Sequence, residues 1–150
     1  MQYVHLYLFH IKMIVALFFS QGIGKPVGIR DLHLKTDGLY YSPYTDTPFT
    51  GVVSGPYTEV IHHYNKNTFV KKNVQGKIID GKKVGIWTTY SEKGYLKWRS
   101  HYKNGNLEFS EDYHENGNLK SRGYYKNREP AGLWESFDED GKLIDYAEFN

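Results

Sequence analysis

The chain has 150 residues, which is enough for one domain with a modest core and excludes a second catalytic domain. It carries 19 Lys and Arg against 17 Asp and Glu, and residues 1–36 hold four of the basic groups and one of the acids. The remainder therefore has 15 positive and 16 negative side chains, a balance that argues against a nucleic-acid partner. The absence of cysteine excludes disulfides, thiolate metal sites and a cysteine nucleophile.

The composition favours strands over helices. Aromatic residues make up 17% of the chain, with 14 Tyr, and there are 15 Gly. Tyr and Trp suit half-buried sheet surfaces and Gly suits tight turns, so we predict an all-β fold.

Residues 1–22 form the most apolar segment of the chain, with an uninterrupted apolar run at Met13–Phe19. Small residues follow at Ser20 and Gly22, as in a secretory signal peptide. We predict a signal peptide or hydrophobic leader here, which places the protein outside the cell, in the periplasm or in the cell envelope. A membrane anchor and a buried N-terminal strand are the alternatives for the segment, and a cytoplasmic protein is the alternative for the location.

Residues 23–36 are rich in turn-forming residues, including Gly24, Pro26 and Gly28, and are predicted to be a linker. From Asp37 onward, Pro and Gly bracket short aromatic and β-branched runs, which predicts strand, loop and strand. We therefore place a repeat domain over 37–150.

One short pattern recurs three times in the last third of the chain, with equivalent residues 23 and 24 positions apart. Each copy has a turn glycine, a leucine and two aromatic positions. The four columns are Gly94, Gly117 and Gly141; Leu96, Leu119 and Leu143; Tyr90, Tyr113 and Phe137; and Tyr102, Tyr125 and Phe149. A fixed period of this length indicates an array of small supersecondary units.

The copies are placed at 85–107, 108–131 and 132–150. A degenerate copy is placed at 57–81, where Tyr64 aligns with Tyr90. The first and third clear copies begin with Gly-x-Trp, at Trp87 and Trp134, and the middle copy lacks this motif.

Each copy is predicted to be a β-hairpin around its acid-x-Gly turn, because Asn-Gly and Asp-Gly tolerate positive φ. The segments 80–85 and 127–132 are predicted linkers that return the chain for the next hairpin. The fold prediction is an elongated antiparallel sheet of consecutive β-hairpins.

Strand alternation sorts the second strand of each copy into two faces. The face predicted to form the core carries Leu96, Trp98, Ser100 and Tyr102, then Leu119, Ser121, Gly123 and Tyr125, then Leu143, Asp145, Ala147 and Phe149. The opposite face carries Lys97, Arg99 and His101, then Lys120, Arg122 and Tyr124, then Ile144, Tyr146 and Glu148.

The Gly-x-Trp-x-x-Tyr, acid-Asn-Gly, Leu-Lys and Tyr-x-Asn-Gly elements at this period resemble the MORN repeat family, named for membrane occupation and recognition nexus. More narrowly, they resemble the bacterial variant repeat of toxin–antitoxin system antitoxins and of exported bacterial proteins. The runs at 37–41 and 48–53 resemble how such proteins begin, so the resemblance covers 37–150. It implies a sheet that acts as a binding or scaffolding surface, and it supplies no catalytic residues.

No pattern in the chain predicts catalysis, a cofactor or a metal site. His101 and His114 lack the spacing of zinc ligands and are expected to be solvated. The acids of 138–140 fall at a hairpin turn, where their conformational preference explains them. We predict a protein that is not an enzyme and binds no cofactor.

One feature suggests a binding function, namely a stripe of basic side chains formed by Lys97, Arg99, Lys120 and Arg122. With nearby tyrosines it suits an acidic protein segment or anionic lipid headgroups, and the alternative is cross-strand pairing with acids such as Glu111 or Asp112. The two Gly-x-Trp tryptophans are predicted to anchor a partner. The candidate partner-binding residues are Trp87, Lys97, Arg99, Lys120, Arg122, Tyr124, Trp134 and Tyr146.

We predict a protein-binding module of antitoxin or immunity type, which acts by covering a partner's surface. The alternative is an exported cell-envelope structural or scaffold protein that works by self-association of its terminal hairpin. Membrane contact is expected only through the N-terminal segment, because the near-zero charge of the repeats gives little attraction to lipid headgroups.

Overall fold

The computed structural model describes residues 25–63 and 66–150, with no side chains described from 57 to 70. The predicted leader, the first two residues of the predicted linker and Tyr64 lie outside the described residues. Within the described part, no helix has the length and apolar character needed to cross a bilayer.

A short 3-10 helix covers Ile29–Asp31, and strands form most of the rest. The strands are β1 (His33–Leu34), β2 (Tyr40–Tyr41), β3 (Gly51–His63), β4 (Lys66–Ile79), β5 (Lys82–Ser91), β6 (Leu96–Lys103), β7 (Asn106–Tyr113), β8 (Leu119–Lys126), β9 (Glu129–Phe137) and β10 (Leu143–Phe149).

Strands β3 to β10 form one eight-stranded antiparallel sheet in which each strand pairs with its neighbours in sequence. The prediction of an all-β sheet of consecutive hairpins is confirmed. Strands β1 and β2 form a separate pair. The degenerate copy is also a hairpin, but it begins before residue 57, since Gly51 at the start of β3 pairs with Ile78 of β4.

The turns between copies are tighter than predicted. Asp80-Gly81, Asn104-Gly105 and Asn127-Arg128 are two-residue turns in which both residues have positive φ. This geometry matches the right-handed twist of the flanking strands. The predicted linkers at 80–85 and 127–132 are therefore wrong, because each turn leads at once into the next strand.

The acid-x-Gly turns join the two strands within each copy. In the first, the Gly94 N–H donates to the Ser91 carbonyl at 3.0 Å, and Gly94 has a φ of 88°. The same bond recurs from Gly117 to His114 and from Gly141 to Asp138. A turn closed by a glycine in the left-handed region explains the glycine column.

The Gly-x-Trp motif inserts a bulge and places an indole over a glycine of the preceding strand. Lys77 pairs with Val84 and Gln75 pairs with Thr88, so β5 has two more residues than β4 over this interval. Gly85, with a φ of 64°, begins the bulge. A Cβ added to Gly76 would lie 2.1 Å from Cδ2 of Trp87, which shows that the indole occupies the side-chain position of that glycine.

The third copy repeats this arrangement. Gly132 has a φ of 62°, and a Cβ added to Gly123 would lie 2.1 Å from Cδ2 of Trp134. The middle copy has no tryptophan at this place, and Ser100 pairs directly with Ser110. Between the pairs His101–Phe109 and Tyr102–Leu107, β7 has one extra residue, whereas β5 and β9 each have two at the equivalent place. The missing tryptophan of the middle copy therefore accompanies a smaller bulge.

The core lies at the β3–β5 end of the sheet, where the segment before β3 packs on one face. Its buried side chains are Leu32, Val53, Val74, Ile78 and Trp87. The Val27 N–H donates to the Val52 carbonyl at 2.9 Å, and Leu32 is 7% exposed. Residues 25–36 are thus part of the folded domain, and the linker predicted there is wrong, because apolar side chains within it are needed to cover the sheet.

Directly opposed residues share a face, so the register defines two faces of the sheet. We call one the tryptophan face, which carries Lys83, Trp87, Thr89, Trp98, Ser100, Tyr102, Ser110, Asp112, Gly123 and Trp134. We call the other the arginine face, which carries Ile86, Arg99, His101, Phe109, Glu111, Arg122, Tyr124, Glu135 and Tyr146.

The predicted core face is confirmed in β6 and β8. Ser100 and Tyr102 are half-buried while Arg99 and His101 are exposed, and Gly123 is buried. In β10 the prediction is wrong, since all seven residues are exposed. Among the described strands β10 pairs only with β9, so its side chains have neighbours on one side, such as Trp134 beside Phe149.

Candidate partner-binding surface

Alternating charges cross the arginine face from β6 to β9. The Arg99 Nε donates to Oε2 of Glu111 at 2.5 Å, and the Arg122 Nε donates to Oε2 of Glu135 at 2.6 Å. Glu111 also lies directly opposite Arg122 in the register. These hydrogen bonds raise the pKa of Arg99 and of Arg122 above the usual value.

We call this set the charge ladder: Arg99, Glu111, Arg122 and Glu135. It corrects the interpretation of a basic stripe, because two carboxylates balance the two guanidinium groups. The alternative of cross-strand pairing holds for both arginines. Glu111 is 8% exposed and also accepts a hydrogen bond from the Tyr113 hydroxyl at 2.9 Å, so it is the fixed centre of the ladder.

The two lysines of the predicted stripe lie elsewhere in this pattern. Lys97 is half-buried and Lys120 is exposed. Burial raises the pKa of Asp112, and the positive charges of Lys120 and Lys97 partly oppose that shift. The two lysines therefore help to stabilise the charged form of Asp112, which lies on the tryptophan face.

An apolar row lies beside the charge ladder. Ile86, His101, Phe109 and Tyr124 follow one another across strands β5 to β8. The ring centres of Phe109 and Tyr124 are 4.9 Å apart. Ile86 is 57% exposed and Tyr124 is 54% exposed. The row lines an open groove of about 400 Å3. His101, whose Nδ1 lies 3.2 Å from Oε2 of Glu108, is the polar member of the row. Exposed apolar side chains grouped on a surface are a feature of binding surfaces.

The structure separates the predicted aromatic residues into two groups. Tyr124 and Tyr146 are exposed on the arginine face, next to the ladder. Trp87 is 3% exposed and donates its indole N–H to the Lys77 carbonyl at 3.2 Å, so its assignment as a partner anchor is wrong. A side chain buried under the core cannot reach a partner.

Trp134 is half-buried and is held within its own sheet. Its indole N–H donates to the Tyr124 carbonyl at 3.0 Å, and its ring lies 5.0 Å from Tyr125 and 6.1 Å from Phe149 in edge-to-face contacts. Trp134 is therefore used for packing within the repeat.

Sequence reasoning missed Ile86 and Phe109 on this surface. Both lie in first strands of their copies, and the alternation that sorted the second strands would have placed them on the same face as Arg99. The position of Ile86 next to His101 follows from the pairing of β5 with β6, which is a contact between strands.

Within the described part of the chain, no three His, Asp or Glu side chains converge on a site that could hold a metal ion. His114, expected to be solvated, is half-buried, and its Nε2 lies 2.9 Å from the Phe137 carbonyl of the next copy. Its role is to join successive turns, as Asn116 does by donating to the Glu139 carbonyl at 2.7 Å.

The fold and this surface define a β-hairpin repeat protein. A family model described as the MORN repeat variant matches residues 110–127 and 131–150, which cover β8 and β10, half of β7 and most of β9. This family is a non-catalytic repeat module. No curated protein and no solved structure gave a match in the corresponding comparisons.

Proposed function

We propose that this chain is a non-enzymatic binding module that docks a protein partner on its arginine face. The observation that carries the proposal is the apolar row, in which Ile86 is 57% and Tyr124 54% exposed, beside the charge ladder, where Tyr146 lies opposite Glu135 and is 70% exposed. Large apolar side chains held in place on a rigid sheet can bind a partner without first losing conformational freedom.

The ladder supplies specificity in this proposal. Arg99 and Arg122 use Nε for the neighbouring carboxylates, and their side chains remain 47% and 45% exposed. A guanidinium group has five N–H donors, so each arginine keeps donors for carbonyl or carboxylate oxygens of a partner. The ladder has no net charge, which favours a partner of mixed charge over a strongly acidic one.

An antitoxin or immunity role is the narrower form of the proposal. In that role the sheet covers the working surface of a toxin, and Tyr124 contributes the central apolar contact. The match to the MORN repeat variant supports the binding module and leaves the nature of the partner to experiment.

The test is affinity capture followed by measurement of binding to the captured protein in purified form. Tyr124→Ala is expected to weaken binding at least about tenfold, or about 1.4 kcal/mol, because it removes a ring from the centre of the surface. Tyr44→Ala is the matched control, since Tyr44 is 90% exposed but precedes β3 and lies outside the apolar row. Unchanged binding by Tyr124→Ala and Ile86→Ala together would rule out the arginine face as the docking surface.

A second candidate is self-association in a scaffold, and the exposure of β10 favours it. This strand pairs only with β9 among the described strands, and its Ile144 is 63% exposed. An unpaired strand edge is a template for a further strand. Sedimentation equilibrium would show dimers for the wild-type protein and monomers for Ile144→Lys. A wild-type monomer at every concentration contradicts this candidate.

Export, which belongs to the second candidate, is tested at the N-terminus. Sequencing the protein purified from its native cells would give a mature N-terminus near Gly22 if the predicted leader is removed. An intact Met1 would favour a cytoplasmic protein or an uncleaved anchor.

A further inference from the structure

The tryptophan face carries a groove at the place where the middle copy lacks its tryptophan. The groove measures about 380 Å3, and its lining includes Lys83, Trp87, Thr89, Trp98, Ser100 and Tyr102. It lies on the opposite side of the sheet from the apolar row proposed to dock a protein, so the two sites are independent.

The Gly-x-Trp geometry explains why this space is open. Trp87 reaches back over Gly76, away from β6, and leaves Ser100 beside it. In the third copy the space over Gly123 is filled by Trp134, but in the middle copy the tryptophan is replaced by Ser110, opposite Ser100. The middle copy thus has Ser100 and Ser110 at the positions where the neighbouring copies have a glycine and the tryptophan that covers it.

An ammonium group lies at one end of the groove. The Lys83 Nζ is 4.5 Å from the ring centre of Trp87, 5.1 Å from that of Tyr102 and 6.0 Å from that of Tyr40. No ion pair to Lys83 is formed by residues 25–63 and 66–150. Burial lowers the pKa of Lys83 below its usual value, so its charged form lacks the stabilisation that an anion would supply.

The walls of the groove are apolar and its polar groups are few. Trp87 and Trp98 provide indole rings, and Thr89 and Ser100 provide hydroxyl groups. A mainly apolar concave site with a small number of convergent polar groups is typical of small-ligand binding. At the other end of the groove, Asp112 is half-buried opposite Trp98, and the Lys72 Nζ lies 3.5 Å from the centre of the Trp98 ring, so opposite charges offset each other there. The Lys83 ammonium is therefore the group that a ligand carboxylate would pair with.

We propose that this groove binds a small monocarboxylate with an apolar or aromatic body. The carboxylate pairs with the Lys83 ammonium, and the body lies against Trp98 and Tyr102, with the edge of the buried Trp87 at the base of the groove. The ligand supplies an anion for Lys83, and it covers the apolar surface beside Ser100, where no indole lies over the sheet.

The test compares phenylacetate with phenylacetamide, which has the same ring and no charge. The three tryptophans give three indole N–H signals in an NMR spectrum of the labelled protein, and Trp134, which is absent from the groove lining, serves as an internal control. Phenylacetate is expected to shift the signals of Trp87 and Trp98 saturably, in the millimolar range. Phenylacetamide should bind about tenfold more weakly, because it cannot form the charge-assisted contact.

Variants of the groove complete the design. Lys83→Met keeps the apolar stem and should reduce phenylacetate binding about tenfold, to the level of the amide. Lys82→Met is the matched control, since Lys82 is exposed and adjacent, and should change nothing. Ser100→Phe fills the groove and should abolish binding of both compounds, with a dispersed NMR spectrum reporting that the fold is kept.

Three results would overturn the proposal. The first is equal affinity of the wild-type protein for phenylacetate and phenylacetamide. The second is equal loss of phenylacetate binding in Lys83→Met and Lys82→Met. The third is the absence of saturable shifts at Trp87 and Trp98 in the folded wild-type protein.

Discussion

Replacing Gly76 by alanine tests the packing of tryptophan over glycine most directly. The added Cβ would lie 2.1 Å from Cδ2 of Trp87, whereas carbon atoms in contact are about 3.5–4.0 Å apart. The indole must therefore move by more than an ångström. It is 3% exposed and its N–H donates to the Lys77 carbonyl, so a shift disturbs its buried contacts and breaks a hydrogen bond.

The expected loss of stability follows from these contacts. Overpacking a well-packed site costs about 1–3 kcal/mol, and the lost indole hydrogen bond costs about 1 kcal/mol more. Replacing a strand glycine by alanine also stabilises the folded protein by about 0.5–1 kcal/mol, which offsets part of this loss. Gly76→Ala should therefore destabilise the protein by about 1–3.5 kcal/mol. Gly123→Ala should cost about 1–2 kcal/mol, because the half-buried Trp134 can move toward solvent.

The assay is urea unfolding followed by circular dichroism, for a double-mutant cycle of Gly123→Ala and Trp134→Ala. Without the indole, Gly123→Ala should be neutral or should stabilise by about 0.5 kcal/mol, since only the glycine effect remains. Neither Gly76 nor Gly123 has a positive φ, so backbone strain does not complicate the result. An equal cost of Gly123→Ala in both backgrounds would falsify the steric explanation.

Three further predictions concern the charge ladder, the tryptophan face and a turn. Glu111→Gln should destabilise the protein by about 1–2 kcal/mol in urea unfolding, because Arg99 and the Tyr113 hydroxyl lose a charged acceptor; an unchanged midpoint would show that the ladder contributes nothing. Asp112→Asn should stabilise the protein at neutral pH. Burial raises the pKa of Asp112 above its usual 3.8, so the wild-type protein loses stability as the pH rises through that raised value. The difference should vanish below about pH 3.8 in unfolding curves measured across pH, and a difference independent of pH would contradict this reasoning. Arg128→Gly should stabilise the protein by about 0.5–1 kcal/mol and so raise its melting temperature. The reason is that Arg128 has a φ of 72°, and two equivalent turns have glycine at this position. A lower melting temperature would contradict this prediction.

Much of the architecture could be predicted from the sequence because turns and alternation are local properties. The glycine column at Gly94, Gly117 and Gly141 predicted three turns, and each has the expected positive φ. The face assignment in β6 and β8 followed from the period of two in strands. The binding surface was harder to predict, since Arg99 and Arg122 were identified but their neutralisation by carboxylates depends on the pairing of strands.

The errors share a physical cause. Asn-Gly and Asp-Gly at the strand junctions were interpreted as the start of linkers, although two residues with positive φ are enough to reverse the chain. Trp87 was assigned to a partner because an aromatic residue in a repeat can serve either packing or binding. The choice depends on what lies above the sheet, and in this fold the segment containing Leu32 lies there.

The sequence by itself determined the all-β fold, the order of the hairpins and the places where the chain turns, because glycine and asparagine at fixed spacing impose those conformations locally. Only the tertiary structure decided which residues are buried, paired or open to solvent. The Gly85 bulge carries Trp87 over Gly76, the register sets Arg99 beside Glu111, and a groove is open beside Ser100, where no indole lies over the sheet. These outcomes depend on contacts between strands, which the order of residues along one strand does not contain.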